Sequence, residues 1–274
     1  MRTGLLGLAV SIAIGLPVAS PSVAQTVPDI FVAAIAGSSL DGFNTFVDYQ
    51  ESLLPSGTAT ASIGAPFGAS PAMGVYASAT TVFGQNAAGA FVRGQGELLV
   101  ASFSYWTDQF TPSGGMGTGT AATSVTLTGT IDPGAFAVAV YSLFVSTTPL
   151  NDDEKLLAAL EEVLFTGTST DPQSVISTVV TNFGSTPITA TGSYSFTYSV
   201  PFYFASVLGT FAGGDAGVDL LNTAKVGITL PNQAAVGLSG TVYVAAIPEP
   251  GTWAMMLAGF ALLAFVASRR VARA

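Results

Sequence analysis

Neither cysteine nor histidine occurs in this 274-residue chain. Without cysteine there is no disulfide framework, no thiol nucleophile and no thiolate metal site. Without histidine, the Ser-His-Asp and Cys-His mechanisms, histidine-ligated zinc and the usual proton shuttle near neutral pH are closed as well. Basic residues are scarce: seven Lys and Arg stand against sixteen Asp and Glu. Of the seven, only Arg93, Lys155 and Lys225 lie between the two ends, so the body there offers no basic patch to displace counterions, which argues against phosphate-backbone binding. No internal repeat is evident, which disfavours a solenoid or a propeller.

The two ends carry the strongest signals. Met1-Arg2 is a short positive start, Leu5 to Leu16 an apolar segment too short to span a bilayer, and Pro17 breaks it. Ser22 and Ala24 then place small residues at the two positions a signal peptidase reads, with cleavage expected before Gln25. Residues 1–24 are therefore read as a signal peptide. At the other end no residue from Gly251 to Ser268 is charged. A helix there, at about 1.5 Å per residue, nearly matches the roughly 30 Å hydrocarbon core of a bilayer. Trp253 sits where an indole prefers the headgroup boundary, and Arg269, Arg270 and Arg273 would stop the far end in the cytoplasm. That arrangement leaves a body of residues 25–247 outside the inner membrane.

Pro248-Glu249-Pro250, two residues, then Trp253-Ala254, an apolar helix and an Arg-Arg end resembles the PEP-CTERM sorting signal in its Trp-Ala variant. The resemblance covers about the last tenth of the chain. It implies that an exosortase, an integral-membrane transpeptidase, cuts near Pro248-Glu249-Pro250 and releases the body towards the surface of a Gram-negative bacterium. Exosortase and signal peptidase are then the processing partners, with an inner-membrane intermediate. The segment Asp219 to Ala224, with Gly227-Ile228 and Leu230-Pro231 after it, is similar to a phrase that precedes the tail in PEP-CTERM β-proteins. An ordinary tail anchor holding a periplasmic domain permanently in the membrane is the alternative.

The body is expected to form one mainly β domain, an antiparallel, jelly-roll-like β-sandwich with an inserted helical hairpin at about 151–184. Strands are expected over Val27 to Ile35, from Val75 onward, over Glu97 to Phe110, Thr123 to Ile131 and Ala135 to Val145, and from Ile188 through Leu238 to Ala245. The stretch Ser38 to Leu54 reads as a loop with a helical turn, and Thr58 to Met73, rich in Ala, Ser, Gly and Pro, as a surface connection. Pro112 to Gly115 predicts a hairpin turn. Val125 and Leu127 alternate with Ser124, Thr126 and Thr128, as do Tyr194, Phe196 and Tyr198 with Ser193, Ser195 and Thr197, the pattern of half-buried antiparallel strands.

The helical hairpin rests on two patterns. Asn151 with Glu154 reads as a capping box, Asp152 and Asp153 favour the positive end of the dipole, and Leu156, Leu157, Leu160, Val163 and Leu164 make one apolar stripe. Asp171 before Pro172, with Val175, Ile176, Val179, Val180 and Phe183 ahead of Gly184, signals a second helix.

Catalytic candidates reduce to carboxylates and lysines. Glu97, Asp108, Glu161 and Glu162 supply the residue type for a glycosidase pair, although Glu161 and Glu162 fall beside a helix's solvated face. Lys155 and Lys225 could activate a serine, but no Gly-x-Ser-x-Gly or Ser-x-x-Lys motif accompanies them, and Lys155 is placed to offset Asp152. Gly213 to Asp219 with Asn222, and Asp152-Asp153-Glu154, offer oxygen ligands for calcium without the spacing of an EF-hand; turns and capping explain both without metal. Hence no catalytic residue, metal or cofactor is assigned. The expected role is that of a non-enzymatic surface or matrix protein associated with exopolysaccharide or biofilm, binding glycans through aromatics such as Tyr105 or Trp106. An exported carboxylate-dependent polysaccharide hydrolase is the competing expectation.

Overall fold

A computed structural model describes residues 29–38, 46–52, 59–64, 74–93, 98–132, 134–150, 152–182, 187–231 and 233–244. The signal peptide and the sorting tail lie outside the described residues. In chain order the elements are β1 (Asp29–Ser38), β2 (Phe46–Ser52), β3 (Ala59–Gly64), β4 (Gly74–Val82), β5 (Gln85–Arg93), β6 (Leu98–Phe110), β7 (Thr118–Leu127), β8 (Thr130–Asp132), β9 (Phe136–Ser146) and α1 (Asp153–Thr166). After them come β10 (Gln173–Val180), β11 (Ile188–Thr197), β12 (Phe202–Gly213), β13 (Gly217–Thr229), β14 (Ala235–Val236) and β15 (Val242–Tyr243).

Two antiparallel sheets face each other. The first has the order β10-β9-β12-β6-β1-β2, the second β11-β7-β13-β5-β4-β3, with β8 beside β13. Between them lies a core to which Ile30, Val32, Trp106, Phe110, Tyr141, Phe204 and Leu208 contribute from one side and Ala79, Ala88, Val92, Val125, Val218 and Ile228 from the other. Many of the second sheet's core side chains are alanines, among them Ala77, Ala79, Ala88, Ala90 and Ala121. One end is filled instead by rings: Phe202 stacks on Phe110 at 5.7 Å and on Phe196 at 5.5 Å. Ring pairs of this kind add about 0.5–1.5 kcal/mol each beyond their burial.

Sequence periodicity follows from how each sheet is covered. β9 and β12 are apolar on both faces because the first sheet is sandwiched, its outer side covered in part by α1. β11 alternates strictly because one face of the second sheet meets water. The helix begins at Asp152, whose side chain accepts from the Lys155 amide at 3.0 Å, and stops at Gly167, which takes a φ of +86° and donates its N–H to the Val163 carbonyl. Leu156, Leu157, Leu160 and Val163 are buried against the sheet, each contributing about 1.5–3 kcal/mol. Gly209 in β12 makes room for them, since a Cβ there would stand 3.0 Å from Leu160.

Several expectations are corrected. Only one helix is present among the described residues: the expected second helix is the edge strand β10, antiparallel to β9. Val175, Ile176, Thr178, Val179 and Val180 are β-branched, and a register shift between Ser174 and Ile176 sets Ile176 and Val180 against the inter-sheet core. The cap falls on Asp152, while Asn151 and Phe183 lie outside the described residues. Within the stretches read as loops, β2 and β3 pair with β1 and β4 as the outermost strands of the two sheets. Pro112 to Gly115 makes no hairpin, because β6 and β7 belong to different sheets. The stretch read as one strand over Thr123 to Ile131 is interrupted, β7 and β8 both lying along β13. The expected last strand, Leu238 to Ala245, is replaced by a short hairpin in which Ala235 faces Tyr243 and Val236 faces Val242.

Candidate functional site

The terminal hairpin, the last described segment before the tail, is built around a buried carboxylate. Asp108 lies near the end of β6, on the face that carries Trp106 and Phe110 into the inter-sheet core, and its side chain is inaccessible to solvent. One oxygen, Oδ1, accepts from the Gln109 amide at 2.9 Å and the Ser239 amide at 3.1 Å. Its Oδ2 accepts from the Ser239 hydroxyl at 2.6 Å and the Tyr243 hydroxyl at 2.8 Å. The Leu238 amide donates to the Gln109 carbonyl at 2.8 Å, so the hairpin is bonded to β6 through main chain as well.

Shape reinforces these bonds. Gly237 passes so close that a Cβ on it would fall 1.8 Å from Asp108 Oδ2, and only glycine fits. Tyr243 lays its ring 5.2 Å from both Trp106 and Phe110, closing the aromatic end of the core. Burial pushes the Asp108 carboxyl above the ordinary carboxylate range, and the hydrogen bonds from Ser239, Tyr243 and Gln109 oppose that without reversing it. Burial first, then the Asp108 charge and the hydrogen bond to it, hold the Tyr243 phenol well above its usual value.

A second polar group joins the two sheets. Asn86 of β5 donates to the Ser104 carbonyl at 2.9 Å and the Ser206 carbonyl at 3.3 Å; the Ser206 hydroxyl bonds Asn86 Oδ1, and Tyr141 lies 3.0 Å from that hydroxyl. Burial raises the Tyr141 phenol, so it stays protonated. Every member touches protein, which fits a registry device between sheets.

Among the described residues, the carboxylates named from sequence do not converge. Asp108 is on the inner face of the first sheet, whereas Glu161 and Glu162 ride on α1 over its outer face, and Glu97 lies outside the described residues. Glu161 is partly buried and its carboxyl is raised by desolvation. Lys155 places its Nζ 2.8 Å from Asp171, not on Asp152 as expected, because Asp152 is engaged in capping. Lys225 is exposed on β13. Gly214 and Asp215 form the left-handed link from β12 to β13, at φ +62° and +61°. Among the described residues no group of three or more Asp and Glu is placed to hold a metal ion. Tyr105 and Trp106, expected to be exposed aromatics, are buried completely: Tyr105 stacks on Phe31 at 5.2 Å and Trp106 packs on Tyr243.

The exposed surface of the second sheet offers a different chemistry. Thr189, Thr191, Ser193, Ser195 and Thr197 of β11 all point outward, and β7 sets Thr126, Ser124, Ala122, Thr120 and Thr118 directly opposite them. Four of the five pairs are hydroxyl on hydroxyl, a polar ladder with neighbours about 4.5–5.5 Å apart across the strands.

These features define an antiparallel two-sheet β domain, closed at its carboxyl end by a carboxylate-pinned hairpin. Residues 246–270, immediately beyond that hairpin, match the family described as the PEP-CTERM protein-sorting motif. The chain thus carries a PEP-CTERM sorting motif at its carboxyl end, consistent with a substrate for exosortase-type sorting. The matched span takes in Pro248, Glu249, Pro250, Trp253, Ala254, Arg269 and Arg270, and ends before Arg273. No curated protein matches the chain. Ser22, Ala24 and Gln25 of the expected signal cleavage, like the tail, lie outside the described residues.

Proposed function

We propose that this is a non-enzymatic exported protein, held in the inner membrane by its tail until an exosortase cuts it, whose body then associates with extracellular polysaccharide at the cell surface. The hydroxyl ladder on β7 and β11 is the observation that carries the reading. Paired Ser and Thr side chains on a rigid sheet can exchange hydrogen bonds with the hydroxyls of an extended glycan, and they order few rotatable bonds in doing so. The arrangement of carboxylates supports binding over hydrolysis: the buried one, Asp108, has both oxygens engaged by the hairpin, and Glu161 and Glu162 lie across the sheet from it.

Retention of the purified full chain in native gels containing the host's own extracellular polysaccharide tests this. The expected result is retardation that Thr191→Glu with Ser195→Glu abolishes while thermal unfolding stays unchanged, and no release of reducing ends on long incubation. Undiminished retardation of that variant would remove the ladder from the reading, and release of reducing ends would replace the binding protein with a hydrolase.

A further inference from the structure

The terminal hairpin presents a second face, opposite to the one Asp108 holds. Val236, Leu238, Val242 and Val244 are each about half exposed or more, at 48, 57, 54 and 64%. They are half of the large hydrophobic side chains exposed among the described residues, gathered into nine consecutive positions, whereas the others are scattered from Met116 to Val200. Val236 faces Val242 across the hairpin, so the two share one side. The inward positions are Ala235 and Tyr243, which are buried. The docking bonds of Asp108 therefore fix which side points outward.

Charge is missing from the same region. No residue from Val226 to Pro248 is charged, although the exported body carries fifteen acidic residues against three basic ones. Four residues, Val244 to Ile247, separate Tyr243 from the motif that begins at Pro248, and Trp253 follows shortly after. At about 3.5 Å per residue that spacer cannot carry the hairpin far from the motif.

We propose that this aliphatic, uncharged face rests on the bilayer, in the headgroup and upper acyl region of the leaflet facing the body, while the tail is in the membrane. It rests on the reading that the tail occupies the membrane before processing. Interfacial burial suits a small apolar face bearing no charge, and an anionic body would otherwise be repelled from an anionic lipid surface. The hairpin would thereby hold Pro248-Glu249-Pro250 at the membrane surface for an integral-membrane transpeptidase.

Because the chain contains no cysteine, a single introduced one is a unique label site. Full-length Leu238→Cys, Thr168→Cys and Leu262→Cys, each carrying an environment-sensitive fluorophore, are reconstituted in vesicles of phosphatidylethanolamine and phosphatidylglycerol doped with quencher lipids. The expected result is loss of most of the emission at 238 and 262 and little loss at 168, with Val242→Cys behaving like 238. Quenching at 262 without quenching at 238 and 242 overturns the inference and leaves the tail reading intact. An unquenched 262 overturns both. Quenching at 238 that needs added exosortase, or an unquenched 238 together with a 238–238 disulfide formed between copies of the unlabelled Leu238→Cys protein on addition of an oxidant, also overturns the inference, assigning the face to the enzyme or to a second copy.

Discussion

Asp108 is the residue on which the carboxyl end of the fold depends. Asp108→Ala removes four acceptor bonds and leaves the part-buried Ser239 amide and the buried Tyr243 hydroxyl without their acceptor. Each abandoned group costs about 1–3 kcal/mol, so a loss of about 3 kcal/mol or more in urea-measured stability is expected. Gly237→Ala should undock the hairpin by steric conflict with the same carboxylate, seen as early amide exchange at Leu238 and Ser239 while β6 stays protected. The pH dependence has an unusual sign. Burial raises the Asp108 carboxyl in the folded state, so the folded protein binds this proton more tightly than the unfolded chain does. The contribution to stability is therefore largest in acid and declines as pH rises from the ordinary carboxylate value to the raised one, then stays level. Asp108→Asn should abolish that decline, and the difference in urea midpoint between variant and parent across that window isolates it from other carboxyls such as Glu161.

At the scale of elements, α1 is the most independent piece, and its cap and stripe make it the most legible. Leu160→Ala removes a side chain packed between the helix and Gly209, and a cost of about 2–5 kcal/mol in thermal or urea unfolding is expected. Replacing Lys155 by Met should change stability by less than about 1 kcal/mol, since its ion pair with Asp171 is exposed. The central strands were legible because sheets covered on both sides write continuous apolar runs, as in β9, and β11 because one wet face writes strict alternation. β10 misled because apolar residues at 175, 176, 179 and 180 satisfy a helical stripe as well as a bulged edge strand; the density of β-branched residues was the signal that could have separated them. β2 and β3 were missed because outermost strands need not be apolar: Asp48, Gln50 and Glu51 in one and Ala, Thr and Ser in the other carry little strand propensity, and ladder pairing decides. Which sheet a strand joins after a turn, as at Pro112 to Gly117, is not written in local chemistry at all. The Asp108 cluster had no local signal either, since its partners stand 131 and 135 residues away.

At the scale of the whole molecule, the folded body and the sorting motif are separated by only four residues after Tyr243. Cutting near Pro248-Glu249-Pro250 would leave Asp108, Ser239 and Tyr243, and with them the docked hairpin, in the released product. The released product should therefore retain the whole β domain and end upstream of Trp253. Intact-mass and carboxyl-terminal peptide spectrometry on envelope and extracellular fractions of the host checks this. The expected surface form begins at Gln25, includes Tyr243 and lacks the apolar run and the arginines. Loss of exosortase should shift the protein to a membrane-held form that keeps the apolar run and the arginines. If the full tail instead remains on an inner-membrane form when exosortase is present, the matched motif is not processed in this chain. The body is then a permanently anchored periplasmic domain, and its hydroxyl ladder must meet a partner there.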